Sequence, residues 1–344
     1  MSTVKMYRAV LRKSVTMPVI SRGRHISCVT SDRVWISDSD GHLILTNTTA
    51  NKLYHLIDIA SGAGVHTVNN DGDLIYIDSV YNINKLSTEN KVKITLIKYN
   101  TSPWRPRCVY SSPSTGDLLV GMYNTDTDTA KVNRYNKSGH YIQAIQHNNI
   151  TGQDLYSMPS YITENRNGDI IVSDWSGRAV VVTDRGGSYR LSYTGPPTGS
   201  GLAPLGICTD ALSHILVCDL NTQSIQIIYC DGHFRSQIQT RPHGIDIPWG
   251  LSYVENTNTL WVGSYRGNTV NLYRMLVHND YLTSLPLEDF KCKKHPSDPL
   301  SKYCIPCDVT LCKMCIWTTS SDHKKHDVRD VEKLFREIHK RKGL

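Results

Sequence analysis

A five-residue apolar segment recurs six times in this 344-residue chain and limits the possible folds more than any other feature. The last residues of successive copies are 40, 44, 52, 45 and 45 positions apart. Self-similarity at this period is typical of propeller blades with four strands each. The sequence therefore predicts an all-β, six-bladed β-propeller over residues 1–286, in which the apolar segments are strands covered on both faces. The six copies are Val34–Asp38, Leu74–Asp78, Leu118–Met122, Ile170–Asp174, Ile215–Asp219 and Leu260–Ser264.

The rest of each unit also fits a blade. A short strand precedes the apolar segment, and a polar turn, an alternating strand and an outer polar strand follow it. Asp231-Gly232 and Ser138-Gly139 are typical hairpin turns. The sixth unit lacks an outer strand, and we expect Lys5–Arg12 to dock there, closing the ring and covering an exposed edge. The alternative is an N-terminus that leaves this blade open.

A run of eight potential metal ligands lies near the C-terminus. The ligands form four pairs, each with two residues between its members, and a tetrahedral structural zinc site takes four Cys or His ligands. Eight ligands predict two zinc ions, which would hold together a segment too small to fold by its core alone. Spacing leaves open whether neighbouring or alternate pairs share an ion. The pairs are Cys292 and His295, Cys304 and Cys307, Cys312 and Cys315, and His323 and His326.

The order of these ligands resembles the B-box zinc finger of the tripartite-motif (TRIM) family. That resemblance implies a cross-braced module over residues 287–328 with alternate pairs on each ion. Cys292, His295, Cys312 and Cys315 would hold one zinc, and the other four ligands would hold the second. Many family members have Asp at the fourth ligand, where this chain has Cys307 with Asp308 beside it.

The repeats resemble the NHL-type propeller found in many proteins of the same family. Phrases such as Ile170–Asp174 and Asp231–Phe234 are similar to the expanded TRIM repertoire of molluscs. Family members usually have a RING domain, B-box, coiled coil and propeller in that order, whereas here the propeller precedes the B-box. The order reflects either genuine shuffling or a gene model that joins the end of one family member to the start of another. The other five cysteines are solitary, so the sequence predicts no RING among these residues.

Residues 329–344 have apolar side chains at Val331, Leu334, Phe335 and Ile338, which is the spacing of one helical face. This segment resembles the start of the coiled coil that follows a B-box. The alternative is a short helix packed on the zinc module. Either form suggests self-association through the B-box and the helix.

The charge distribution argues against a general nucleic-acid surface. Residues 287–344 hold 13 Lys or Arg against 9 Asp or Glu, and residues 1–286 hold 25 against 22. The propeller is therefore nearly balanced, and an RNA ligand would need a local basic face. The candidates for such a face are Trp104, Arg105, Arg107, Trp175 and Arg178.

The sequence contains no recognisable catalytic motif. The aspartates that end four of the apolar segments could form a carboxylate ring for a metal-dependent propeller hydrolase, but turn-capping is the simpler interpretation. We expect His42, His66, His140, His214, His233 and His243 to be surface or hydrogen-bonding residues. The solitary thiols, expected to be buried and free, are Cys28, Cys108, Cys208, Cys218 and Cys230.

These features predict a zinc-binding interaction scaffold with no catalytic residues. The propeller face would bind a protein partner, with RNA as the alternative, and the B-box would mediate assembly. An E3 ubiquitin ligase component is the alternative function that the resemblance implies. No secretory or membrane-spanning segment is recognisable, so a cytoplasmic protein is expected.

Overall fold

A computed structural model describes residues 8–17, 19–100, 102–196, 199 and 201–276, and the backbone of residues 300–304, 309–312 and 328–330. Six four-stranded antiparallel sheets make up the larger part. The first strand of each sheet packs against the first strands of its neighbours, and contact between blades 1 and 6 completes a ring. The six-bladed propeller is confirmed. The described residues contain almost no helix, only two single-turn 3₁₀ segments at Arg241–His243 and Glu255–Thr257.

The blades follow one another along the chain. Blade 1 holds β2 (His25–Cys28), β3 (Arg33–Ser37), β4 (Leu43–Asn47) and β5 (Lys52–Leu56), and blade 2 holds β6 (His66–Val68), β7 (Leu74–Ile77), β8 (Ile83–Leu86) and β9 (Lys93–Ile97). Blade 3 holds β10 (Trp104–Ser111), β11 (Leu118–Asn124), β12 (Thr129–Tyr135) and β13 (Tyr141–Ile145), and blade 4 holds β14 (Pro159–Glu164), β15 (Ile170–Asp174), β16 (Ala179–Thr183) and β17 (Tyr189–Tyr193). Blade 5 holds β18 (Pro204–Thr209), β19 (Ile215–Asp219), β20 (Ser224–Ile228) and β21 (Phe234–Gln239). Blade 6 holds β22 (Pro248–Val254), β23 (Thr259–Ser264), β24 (Thr269–Leu276) and the N-terminal strand β1 (Arg8–Thr16).

The recurring apolar segments are the second strands of their blades. Every residue of β15 and β19 is buried, because neighbouring blades cover both faces of each sheet. The outer strands β9 and β13 are mostly exposed, as their polar composition predicts. The hairpin turns at Gly139 and Gly232 are also confirmed, with φ of 86° and 88°.

Strand β1 closes the ring as the fourth strand of blade 6. It pairs antiparallel with β24 from Arg8 opposite Leu276 to Thr16 opposite Thr269, with an irregularity between Leu11 and Lys13. The predicted closure is confirmed, although the strand extends four residues beyond the predicted end. Residues 5–7 of the predicted strand lie outside the described residues.

The propeller has two faces that differ in their loops. The links between blades and the turns between second and third strands lie on what we call the connecting face. The turns between first and second strands, and between third and fourth strands, lie on the opposite side, the hairpin face. This division follows from the alternating strand directions of each antiparallel sheet.

The C-terminal part contains a small three-stranded sheet. It comprises β25 (Leu300–Cys304), β26 (Val309–Cys312) and β27 (Val328–Asp330), with β25 in the centre. Residues 329 and 330, expected to begin a helix, belong to β27 instead, because their backbone pairs with β25. The rest of the predicted helix lies outside the described residues.

Candidate functional site

The backbone of the small C-terminal sheet positions two of the predicted zinc ligands. Cys304 ends β25 opposite Val309, and Cys312 ends β26 opposite Leu300. The two cysteines therefore lie at opposite ends of the hairpin, separated by a strand that rises about 3.4 Å per residue. The other six predicted ligands lie outside the described residues.

The third strand enters this sheet at the Cys304 end. Val328 lies opposite Cys304, and β27 continues to Asp330 opposite Lys302. In the chain, His326 precedes Val328 by two residues. The chain segment from His295 enters β25 at Leu300, the end that also holds Cys312.

On the propeller, the aspartates that end the apolar segments cap turns on the connecting face. The Asp174 carboxylate accepts hydrogen bonds from the backbone N–H groups of Ser157 and Met158, both at 2.6 Å. The Asp219 carboxylate accepts from the backbone of Ala203 at 2.8 Å and from the Thr222 side chain at 2.6 Å. Asp38 and Asp78 accept from the turns that follow them. The turn-capping interpretation is confirmed, and none of these four aspartates lines the cavity at the centre of the propeller.

One group of possible metal ligands lies on the same face, in blade 1. Oxygen or nitrogen atoms of Asp38, Asp40 and His42 lie within 4.8 Å of one another. Each already has a protein partner: His42 Nδ1 is 3.0 Å from Asp38, and the Ser21 hydroxyl donates to Asp40 at 2.7 Å. These side chains are satisfied without an ion.

The centre of the propeller is closed towards the connecting face by side chains from three blades. The imidazole rings of His25 and His66 are 4.1 Å apart between centroids, and the Tyr161 ring is 5.3 Å from His25. The Tyr161 hydroxyl donates to the Arg24 carbonyl across the axis at 2.7 Å. The Gly64 N–H donates to the Ser160 carbonyl at 2.8 Å, so backbone also crosses this layer.

His66 is the unusual member of this layer. It pairs with Tyr76, the third residue of the blade 2 apolar segment. The residues at the same register position in the other blades are all aliphatic. His66 is fully buried, and neither ring nitrogen has a hydrogen-bond partner among the described residues. The aliphatic equivalents are Ile26, Val109, Ile162, Ile207 and Leu251.

Both imidazoles are held neutral by their surroundings. Burial lowers the pKa of His25 to about 3. Burial, reinforced by the neighbouring His25, holds the pKa of His66 well below its usual value. The expectation that His66 is a surface or hydrogen-bonding residue is wrong for its side chain. The same expectation is correct for His42 and for His214, which both have hydrogen-bond partners; Nδ1 of His214 is 2.8 Å from buried Asp210.

An axial cavity of about 340 Å³ lies between this layer and the hairpin face. The first strands of all six blades line it, and Arg166 and Glu255 form an ion pair beside its mouth. Glu164 is buried in its wall, where burial raises the pKa of the carboxyl group while a 2.6 Å hydrogen bond from Ser112 opposes the shift. The cavity is polar, but its titratable groups do not form a recognisable catalytic arrangement.

The residues considered for RNA binding lie on the connecting face but not as one surface. Trp104 is half-buried, with Lys131 Nζ 3.8 Å from its ring centroid. Arg105 is exposed and lies over the Tyr81 ring. Trp175 is 39% exposed beside exposed Arg178 in blade 4, so it does not fill a gap between blades.

The solitary cysteines of the propeller are free thiols, as expected. Cys108, Cys208 and Cys218 are buried, whereas Cys28 and Cys230 are partly exposed. Burial raises the pKa of the Cys28 and Cys108 thiols to about 12, so neither is a reactive thiolate near neutral pH.

Comparison with known families identifies the C-terminal module. Residues 287–331 match the family model of the B-box zinc finger, which is therefore present and implies zinc binding. No curated protein matches the chain significantly. Among the described residues, no helix has both the length and the apolar character needed to cross a membrane.

Solved structures resemble the propeller in fold. A gluconolactonase from Xanthomonas campestris shares 12% identity with a TM-score of 0.58, over 79% of this chain and 96% of that chain. A catalytically inactive virginiamycin B lyase from Staphylococcus aureus shares 14% identity with a TM-score of 0.54, over 78% of this chain and all of that chain. The WD40 propeller domain of Doa1 shares 13% identity with a TM-score of 0.50, over 78% of this chain and 97% of that chain. These similarities establish the fold alone.

Sequence reasoning missed two local features of the propeller: the unpaired His66 and a cavity between blades 2 and 3. His66 is a departure from the repeat at one register position of the first strands, and the cavity accompanies another at Met122 on the second strand of blade 3. Aligning the six units strand by strand would have revealed that His66 replaces an aliphatic residue. The cavity depends on three side chains from different strands, which no single motif connects.

Proposed function

We propose that this protein is an interaction scaffold, in which the propeller binds a protein partner and the zinc module mediates assembly. A B-box zinc finger joined to a propeller supports a protein-interaction role. The observation that carries the proposal is the use of the propeller's repeated carboxylates in turn capping, which leaves them unavailable for chemistry. The proposed domains are residues 1–286, 287–328 and 329–344.

The proposed zinc ligands are the eight residues Cys292, His295, Cys304, Cys307, Cys312, Cys315, His323 and His326. The sheet register supports two ions held by alternate pairs. Cys304 and Cys312 lie at opposite hairpin ends. In the chain, His326 comes two residues before Val328, which pairs with Cys304, and His295 comes five residues before Leu300, which pairs with Cys312. Neighbour pairing would require the chain to bring ligands from opposite ends of the hairpin to one ion. When bound, the two zinc ions would stabilise the fold of the module.

Two other functions are weaker alternatives. An E3 ubiquitin ligase component rests on resemblance alone, which is a weak basis for function. A metal-dependent hydrolase would need convergent ligands at the axis, whereas the layer of His25, His66 and Tyr161 closes the axis there. The lyase and lactonase activities in the names of the similar structures are those of the named proteins and are not assigned to this chain.

The proposed partner is a protein because the propeller carries little net charge. The RNA alternative requires binding that weakens steeply as salt rises. Absence of RNA binding at low salt would exclude it. We also propose a cytoplasmic location, which the free thiols of the propeller support because reducing compartments preserve them.

Two measurements on the purified full chain test the scaffold proposal. The chain should show no autoubiquitination in a ubiquitin-discharge assay in which a known ligase serves as the positive control. Light scattering should detect a concentration-dependent oligomer that dissociates when zinc is chelated. Clear autoubiquitination, or a monomer at all concentrations with zinc bound, would contradict the proposal.

A further inference from the structure

A second cavity, of about 310 Å³, lies between blades 2 and 3 and is bordered by aromatic rings. Its volume is at the lower end of the range of small-molecule pockets, about 300–1,000 Å³. The rings come from the blade 2 turn, the link between the blades, and the first and third strands of blade 3. They are those of Tyr81, Tyr99, Trp104 and Tyr135.

The cavity exists because blade 3 departs from a hydrogen bond that two other blades make. In blade 2 the Asn84 amide donates to the Asp78 carboxylate at 2.8 Å, and in blade 5 the Gln226 amide donates to Asp219 at 2.7 Å. Each amide lies on the third strand, and each aspartate ends the second strand or directly follows it. Blade 3 keeps the amide as Asn133 but has Met122 in place of the aspartate. Blade 3 therefore lacks the carboxylate that accepts from this amide, and the Met122 side chain lines the cavity there.

Asn133 is left only partly satisfied. Its side chain is 7% exposed and lines the cavity. Nδ2 donates to the Tyr135 hydroxyl at 3.0 Å, whereas Oδ1 has no partner in the part of the chain that the structure describes. If the Asn133 side-chain amide rotates by half a turn, the Tyr135 hydroxyl can donate to Oδ1, and Nδ2 is then free to donate to a group in the cavity. In blade 6, which also lacks the aspartate, Asn271 Oδ1 likewise has no partner among the described residues, but its Nδ2 donates to the His243 carbonyl at 2.9 Å as well as to the Tyr273 hydroxyl at 3.2 Å.

The ammonium group of Lys131 supplies a positive charge on the strand next to Met122. Lys131 pairs with Met122 in the strand register, and its Nζ lies over the Trp104 ring. The side chain is half-buried, and burial lowers the pKa of its ammonium group. Among the described residues, no carboxylate lies within ion-pair distance of Lys131, and neither Asp nor Glu lines the cavity.

The surroundings add positive charge to this cavity. Lys98 lines it, and the Arg105 guanidinium lies 5.4 Å from the centroid of the Tyr81 ring. A half-buried lysine attracts an anion more strongly than an exposed one, because less water screens the charge. The flat rings offer surfaces on which a planar group can stack.

We propose that this cavity binds a carboxylate attached to an aromatic ring. The carboxylate would lie beside the Met122 side chain, near the position that the Asp78 and Asp219 carboxylates hold in their blades, and would accept from Lys131 Nζ and the Asn133 amide. The ring would pack between Trp104 and the tyrosines. Two sources share this chemistry: a free aromatic acid, and the C-terminal aromatic residue of a peptide.

Isothermal titration calorimetry on the full chain tests the proposal with matched probes. Indole-3-acetate is compared with its amide, and a short acetylated peptide ending in Trp with a free C-terminus is compared with the amidated peptide. We expect at least one acid to bind and its amide to bind at least tenfold more weakly, because the amide lacks the charge. Binding by the free acid alone assigns a small-molecule ligand, and binding by the peptide alone assigns a peptide end. Failure of both acids, or equal binding of acid and amide, would overturn the proposal.

Three substitutions test where in the cavity the carboxylate binds. Lys131→Met should weaken acid binding at least tenfold, whereas Lys137→Met, at an exposed turn of the same blade, should leave it unchanged. Met122→Asp restores the carboxylate that blades 2 and 5 carry, so it should abolish binding and raise the melting temperature. Unchanged acid affinity in folded Lys131→Met, or in folded Met122→Asp, would contradict the proposed position of the carboxylate.

Discussion

At the residue scale, the stability of the propeller depends on which side chain occupies each register position of the repeat. Five blades place an aliphatic side chain where blade 2 places His66, and that site is fully buried. A buried polar group without a partner costs about 1–3 kcal/mol. Within the layer of His25, His66 and Tyr161, His66 is therefore a source of instability that the remaining core offsets.

Replacing His66 with Leu should stabilise the protein. Leu251 fills the equivalent position of blade 6, so the site accepts that shape. We expect the free energy of unfolding to rise by about 1–3 kcal/mol, since the unpaired nitrogens are removed. Urea denaturation at pH 7.5 measures the change, and exposed His233→Leu serves as the control. A lower stability in His66→Leu would show that the imidazole has a partner that the fold depends on.

The same layer should make the protein sensitive to mild acid. The pKa of His25 and of His66 is lower in the folded protein than in the unfolded chain, where it is about 6.5. Well above pH 6.5 neither the folded nor the unfolded state binds a proton at these sites, so these two histidines do not change the stability. As the pH falls below 6.5 the unfolded chain takes up protons first, so stability decreases by up to about 1.4 kcal/mol per pH unit for each histidine. For His25 the loss continues until the pH reaches about 3.

Unfolding free energies measured between pH 7.5 and 5.5 test this effect. The wild type should lose stability over this range, and His66→Leu should lose about half as much. Glu164 and Asp174 have pKa values raised by burial, which opposes the loss at lower pH, so the comparison stays above 5.5. Equal pH dependence of the two proteins would contradict the account of His66.

At the element scale, strand β1 determines whether blade 6 is complete. Its register with β24 runs over almost its whole length, and Met17 continues it through a 2.8 Å hydrogen bond to the Asn268 carbonyl. Without β1, β24 would present an unpaired row of N–H and C=O groups at the edge of the sheet. Such edges promote association between chains.

Deleting residues 1–16 from the full chain should lower the melting temperature of the propeller and promote aggregation. Deleting residues 1–6, which precede β1, is the matched control and should have little effect. Differential scanning calorimetry and light scattering at several concentrations provide the two readouts. Equal melting and equal solubility of the two truncated chains would show that closure by β1 is dispensable.

The elements could largely be predicted because each blade repeats one pattern. Ile170–Asp174 and Ile215–Asp219 have the predicted bounds, since continuous apolar runs are buried on both faces. The bounds of the first strands could not be predicted as well, since they depend on pairing: β10 begins at Trp104, before its apolar residues, because its pairing with β11 continues past them. The cavity beside Lys131 was not predicted, since it depends on a carboxylate that blade 3 lacks.

At the scale of the whole molecule, the propeller and the zinc module should respond differently to metal removal. The propeller has extensive apolar core clusters, whereas the module is too small to fold without metal. A chelator should therefore abolish the thermal transition of the zinc module while leaving in place the main calorimetric transition, which is that of the propeller. Loss of both transitions on chelation would contradict independent stabilisation of the two parts.

The central claim is that alternate ligand pairs share each zinc, and Co²⁺ substitution tests it most directly. Thiolate-to-cobalt absorption grows with the number of thiolates on the ion. Under alternate pairing, Cys312→Ala leaves an intact site of two thiolates (Cys304 and Cys307), and Cys304→Ala leaves one of three (Cys292, Cys312 and Cys315). We predict stronger absorption per intact site in Cys304→Ala than in Cys312→Ala. The opposite order would show that neighbouring pairs share each ion and would contradict the cross-braced module.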